Sequence, residues 1–118
     1  MNGGRRVVIT GCGVVSSLGS TPEELYSRLA AGESAVKVMT SWGTGQSAAP
    51  VELPEDIIRS IPRAKRRSMG RVAIFSALAG RRAAESAGLS EEEIRSDRTG
   101  CVVGSTMGSS SEMDNAFR

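Results

Sequence analysis

Residues 98–110, Arg-Thr-Gly-Cys-Val-Val-Gly-Ser-Thr-Met-Gly-Ser-Ser, repeat the design of residues 6–19, Arg-Val-Val-Ile-Thr-Gly-Cys-Gly-Val-Val-Ser-Ser-Leu-Gly. Each stretch is a short apolar run, rich in β-branched residues, that ends in closely spaced small residues. This pattern is typical of a buried parallel strand that passes into a loop close to a ligand or another backbone. The two stretches therefore predict two strands of one sheet, with helices between them, in an α/β fold.

Helix signals occupy the sequence between the two predicted strands. Thr21 is expected to cap a first helix that begins at Pro22 and ends before Gly32. Residues 35–39 have the pattern of a marginal edge strand. The other predicted helices cover residues 54–58, about 66–87, and 90–94, where Ser90 and Glu93 form a second capping box.

The predicted long helix has an apolar side that includes Leu78 and a row of small residues. The small residues recur at spacings of three and four: Ala73, Ala77, Gly80, Ala84 and Ala87. Such a row permits a close neighbour. A glycine inside a helix costs ~1 kcal/mol relative to alanine, so we expect another backbone to pack against Gly80.

Length and composition indicate part of a larger α/β domain. The chain has 118 residues with a net charge of +2, and we expect residues 1–118 to contain no internal domain boundary. Two parallel strands are marginal alone and need both faces covered, so apolar surface should be exposed unless further strands are supplied. No apolar run approaches the ~20 residues of a membrane helix, and no signal peptide is evident, which indicates a cytoplasmic protein without membrane association.

The sequence contains no assembled catalytic or metal site. Its two cysteines, Cys12 and Cys101, lie in the predicted strands and are expected to be buried core residues rather than reactive thiols. There is no histidine, so no serine has an imidazole to activate it, and a two-cysteine metal cage lacks partners.

The segment Gly11-Cys12-Gly13 after the first strand resembles a dinucleotide-binding turn only in part. Ser16 takes the place of the third glycine, and the following helix begins only near Thr21. A nucleotide-binding oxidoreductase subdomain that takes NAD(P) therefore stays open as an alternative.

A basic run precedes the long helix and includes Arg63, Lys65, Arg66 and Arg67. No aromatic residue is interleaved for base stacking, which disfavours nucleic acid as a partner. Two interpretations stay open: a solvated helix entrance, or a docking surface for an acidic protein.

Taken in order, several motifs resemble the start of a β-ketoacyl-[acyl-carrier-protein] synthase. They are residues 7–19, the helix cap Thr-Pro-Glu-Glu at 21–24, the turn Ala-Gly-Glu-Ser at 31–34, the helix at 69–89 and the strand at 98–105. The resemblance covers nearly the whole chain and is weakest at 37–54. It implies a thiolase-like fold of two α/β halves, in which these residues are the N-terminal portion of the first half.

The resemblance also implies an activity and a set of roles. The family condenses acyl and malonyl-carrier protein by a decarboxylative Claisen reaction in fatty-acid or polyketide synthesis, with one cysteine and two histidines expected beyond Arg118. Neither Cys12 nor Cys101 falls at the nucleophile's place, so the chain is expected to be inactive alone. Met107 is implied to line the acyl pocket, and the basic residues Arg63, Lys65, Arg66 and Arg67 to dock acyl-carrier protein.

Two further implications concern cofactors and assembly. The resemblance implies no cofactor of the chain's own, because phosphopantetheine arrives on the carrier protein, and it implies a homodimer in the complete enzyme. A non-catalytic remnant that only binds carrier protein stays open beside the acyltransferase.

Overall fold

The computed structural model describes residues 4–42, 45–109 and 117, and within them helices predominate. The elements in chain order are α1 (Pro22–Ala30), β1 (Lys37–Val38), a 3-10 turn (Thr40–Trp42), β2 (Ser47–Ala48), α2 (Glu55–Arg59), α3 (Arg63–Arg66), α4 (Arg71–Ser86) and α5 (Glu91–Ile94). Strands β1 and β2 pair antiparallel, with Lys37 opposite Ala48 and Val38 opposite Ser47. The predicted edge strand at 35–39 is therefore confirmed at its centre.

Local capping fixes α1 where the sequence predicts it. The Thr21 hydroxyl accepts the backbone N–H of Glu24 at 3.1 Å, and Pro22 occupies the first turn, where its missing N–H costs nothing. Beyond the helix, Gly32 adopts φ +73°, a left-handed conformation that glycine takes without strain. The predicted start and end of the first helix are confirmed.

The second capping box is also confirmed, at the start of α5. Ser90 Oγ accepts the Glu93 N–H at 3.2 Å, and the Glu93 carboxylate accepts the Ser90 N–H at 2.8 Å. The backbone N–H of Ser90, followed by its hydroxyl, lowers the pKa of the Glu93 carboxyl below its ordinary value. Both bonds favour the ionised form, which is what a capping box requires.

The long helix starts later than predicted. Instead of one helix from about Arg66, the structure has the short α3 and then α4, which begins at Arg71. Gly70 between them is extended, with φ −73° and ψ 172°, so helical hydrogen bonding cannot continue through it. The predicted end is confirmed by Gly88, which adopts φ +69° just after the helix.

The buried interior of the described residues is small. Leu78 of α4 is 1% exposed and Ile61 is 9% exposed, and they are the buried apolar side chains of this part of the chain. The position of Leu78 on the apolar side of the helix is thereby confirmed. The expectation for Gly80 is wrong, because a Cβ built there has no neighbour within 4 Å. Instead, Gly80 faces a cleft of about 530 Å³ that also contains Leu89, Ile94 and Cys101.

The two apolar segments predicted as strands have no strand partner among residues 4–42 and 45–109. Val7 and Ile9 are 92% and 93% exposed, and Val102 is 98% exposed. Cys12 and Cys101 are exposed free thiols, so their predicted burial is wrong in this structure. The reason is physical: a strand is buried only when neighbouring strands and covering helices enclose it, and no described residues do so here.

None of the helices in the described part of the chain is both long and apolar enough to span a lipid bilayer.

Candidate functional site

The strongest candidate site is the basic surface, which we define as Arg63, Lys65, Arg66 and Arg67. Helix α3 begins directly after Pro62, whose fixed φ suits a helix start, and Arg67 is its C-terminal cap. Arg66 is half-buried, and the other three side chains are exposed. A single short helix thus presents four positive charges within five residues.

The charges of the basic surface are not neutralised within the described part of the chain. The ion pairs found there involve other cations, for example Arg59 with Glu55 at 3.0 Å on the neighbouring helix α2. None of them includes a residue of the basic surface. Four like charges on one turn repel one another, so an acidic partner gains from binding there.

Contacts on both sides of α3 hold it in place. Before it, Ile61 is buried and Ser60 Oγ accepts a hydrogen bond from Arg81 of α4 at 3.1 Å. After it, the guanidinium of Arg71 donates to the carbonyl of Val51 at 2.6 Å. The basic surface is therefore attached to the rest of the chain at both ends.

Met107, the predicted acyl-pocket residue, lies in a separate part of the sequence and is 77% exposed. It sits in a turn in which Ser105 Oγ accepts the N–H of Gly108 at 2.9 Å, and Gly108 adopts φ +61°. Among the described residues, the Met107 side chain lies on the surface and does not line an enclosed pocket.

In the glycine-containing turn after residue 13, several backbone N–H groups are bonded to side chains of the same segment. Ser16 Oγ accepts the N–H groups of Leu18 at 3.3 Å and Gly19 at 3.0 Å. The N–H of Ser20 is taken by the Glu24 carboxylate at 2.9 Å. A pyrophosphate needs free backbone donors at a helix N-terminus, and here the N–H groups of Leu18, Gly19 and Ser20 are already bonded, the last of them to a carboxylate. This geometry disfavours the nucleotide-binding alternative.

Two arginines with structural roles were not identified from the sequence. Arg71 bonds to Val51, and Arg82 donates to the carbonyl of Val14 at 2.6 Å, which ties the glycine-containing turn to α4. Both contacts join residues far apart in sequence. Only the positions of these arginines in the sequence could have indicated their roles. Arg71 is the first residue of a helix, where a cation opposes the helix dipole, and Arg82 lies among the alanines of α4.

Comparison with known proteins identifies the family. Residues 4–118 match the family model described as beta-ketoacyl synthase, N-terminal domain. The chain therefore belongs to the β-ketoacyl synthase family, by its N-terminal domain.

Individual relatives agree with this assignment. The chain is 38% identical over 109 residues to 3-oxoacyl-[acyl-carrier-protein] synthase 1 of Haemophilus influenzae. This alignment covers 89% of the chain and 26% of that protein. The chain is also 36% identical over 105 residues to nodulation protein E of a Rhizobium species. That alignment covers 85% of the chain and 25% of the relative. The chain spans about a quarter of the length of these relatives.

A solved structure supports the same fold. A crystal structure of a beta-ketoacyl synthase from Burkholderia phymatum aligns with a TM-score of 0.61 at 39% identity, over 76% of this chain and 23% of that one. The predicted thiolase-like α/β class is thereby confirmed, and the comparisons lend no support to the oxidoreductase alternative.

Proposed function

We propose that this chain acts in a 3-oxoacyl-[acyl-carrier-protein] synthase, an acyltransferase of fatty-acid or polyketide synthesis. The observation that carries the proposal is the family match over residues 4–118. The reaction joins an acyl thioester to the enolate released when malonyl-carrier protein loses carbon dioxide, and it proceeds through a cysteine acyl-enzyme.

The residues of this chain serve binding rather than bond formation. The 118 residues contain no histidine, so the two imidazoles that the family uses at the thioester oxygen are not among them. Cys12 and Cys101 are exposed free thiols in segments outside the described helices, and neither falls at the place of the family's nucleophile. We therefore expect no condensation by the 118-residue chain alone.

The part of the reaction that these residues support is docking of acyl-carrier protein on the basic surface. Its four cations form no ion pair among the described residues, and docking would place them against the acidic surface of the carrier protein. Attraction between exposed charges acts over about 10 Å at 0.1 M salt, which is enough to steer a partner before contact.

Other properties of the proposed enzyme follow from the family. Met107 would line the acyl pocket, where a flexible thioether adapts to an alkyl chain. The enzyme would be a cytoplasmic homodimer with no cofactor of its own, because the phosphopantetheine arm belongs to the carrier protein.

Carrier-protein titration tests the docking step. We expect binding of holo-acyl-carrier protein to weaken steeply with salt, and Arg66→Gln to reduce affinity about three- to tenfold at low salt. Arg95→Gln is the matched control: it removes the same charge from the exposed pair of Arg95 with Glu91 and should leave affinity within about twofold. Equal losses in both variants, or salt-independent binding, would contradict docking on this surface.

The same basic surface would serve a second candidate, a non-catalytic protein that only binds carrier protein. The two candidates share the titration result and differ in turnover. A synthase that contains this chain forms the 3-oxoacyl product under the first proposal and none under the second. Stoichiometric acylation of Cys12 or Cys101 in the chain alone would contradict both.

A further inference from the structure

Arg71 occupies a position in α4 that a cation normally avoids. It is the first helical residue, directly after Gly70, which supplies no side-chain cap. A positive charge at a helix N-terminus opposes the helix dipole and destabilises the helix. Helix propensity therefore does not explain an arginine here, and its contacts must be considered.

The guanidinium of Arg71 is engaged by the chain itself. It donates to the carbonyl of Val51 at 2.6 Å, a contact across 20 residues, and its Cζ lies 5.2 Å from the centre of the Phe75 ring. A short bond from a charged donor and a stacked aromatic ring are both interactions that the planar guanidinium makes better than an ammonium. Although Arg71 continues the basic run in sequence and is itself exposed, its guanidinium is bonded to the backbone of residue 51.

Arg71 is close enough to α3 to set its position. Only residues 67–70 separate the two helices, and within them the N–H of Met69 bonds to the carbonyl of Arg66 at 3.0 Å. On the other side of α3, Ile61 is 9% exposed and anchors the chain. With one end fixed by Ile61, the orientation of the basic surface depends on where α4 begins.

We propose that Arg71 is a positioning residue for the basic surface: it ties the start of α4 to the Val51 backbone and thereby orients α3, without contacting the partner. The inference rests on the proposed docking of acyl-carrier protein. Under this inference, the four residues of the basic surface attract the partner, and Arg71 fixes their orientation.

Charge-conserving substitutions separate a positioning role from a docking role. If Arg71 positions α3, Arg71→Lys should weaken carrier-protein binding as much as Arg71→Gln, about fivefold, because lysine keeps the charge and loses the planar contacts. At the docking residue Arg66, Arg66→Lys should stay within about twofold of the unmodified chain, whereas Arg66→Gln should not. Full binding by Arg71→Lys would overturn the inference.

A second measurement needs no partner. Hydrogen exchange in the full chain should be several-fold faster in Arg71→Lys at the amides of Arg66, Arg67 and Met69, with no change at Ile94 of α5, whose amide bonds to Ser90. Unchanged exchange at the first three amides would overturn the positioning role. If the unmodified chain fails to bind carrier protein, the proposed function fails, and the exchange result alone decides whether Arg71 orients α3.

Discussion

Gly11 and Gly13 let the turn that follows the first apolar segment lie directly on the backbone of α4. A Cβ built on Gly11 would stand 2.5 Å from the carbonyl oxygen of Ala83, and one on Gly13 would stand 2.7 Å from the Ala83 nitrogen. Real Cβ atoms do not approach backbone this closely, so only glycine fits at either place. The glycines of the turn therefore pack against the small residues of α4.

We expect Gly13→Ala to open this contact. The added methyl group would collide with the backbone of α4 and would lie 2.9 Å from the Cβ of Arg82. Neither the backbone nor this Cβ can move without shifting the helix. Overpacking of this kind costs about 1–3 kcal/mol, so amide exchange around Ala83 should accelerate roughly five- to hundredfold.

Gly100→Ala is the matched control, since a Cβ on Gly100 has no neighbour within 4 Å. It should leave exchange in α4 unchanged. Equal amide protection of α4 in both variants would show that the turn at Gly11 and Gly13 does not rest on the helix as described.

Helix α5 provides a pH-dependent test of the capping box. Its Glu93 carboxyl has a pKa below the ordinary 4.5 because the Ser90 backbone N–H and then the Ser90 hydroxyl bond to it. A pKa lowered by folding means that the stabilisation is fully present above pH 4.5 and is lost as pH falls through the lower, folded value.

Ser90→Ala should therefore raise the pKa of Glu93 only part of the way to 4.5, because the larger contribution, the backbone N–H, is retained. A carboxyl-detected NMR titration of the chain and the variant measures the change. A full return to the ordinary value would show that the backbone bond is absent, and no change would show that the hydroxyl plays no part.

The elements also show which parts of the structure the sequence could predict. The caps at Thr21, Gly32, Gly88 and Ser90 were predictable because each depends on residues within one turn of itself. The contacts of Arg71 and Arg82 were not, since they join residues 20 and 68 positions apart. The basic surface could be identified as charge, but whether those charges are paired depends on the fold.

Strand burial was beyond prediction for a related reason. The apolar pattern of residues 7–10 predicts a segment of a sheet interior, but in this structure the segment has no strand partner, and Val7 and Ile9 are exposed. Whether such a segment is buried depends on neighbours that its own residues do not encode.

As a whole, the described chain resembles a layer of an α/β domain whose apolar face is open. Its accessible surface is 9798 Å², whereas a compact domain of 12.4 kDa would expose about 6,100 Å². Its radius of gyration is 17.7 Å, against about 13.5 Å for a compact chain of this length. The central claim follows: we expect the segments around Val8 and Val102, which have no strand partner among the described residues, to form sheet strands only when additional protein surface covers them.

Thermal unfolding of the purified 118-residue chain, followed by calorimetry in the presence of a dye that binds exposed apolar surface, tests this claim most directly. The account predicts strong dye binding before heating and a broad transition, with an enthalpy well below the roughly 80 kcal/mol of a cooperative domain of this size. A monomer that binds no dye and melts in one sharp transition with the full enthalpy would contradict it.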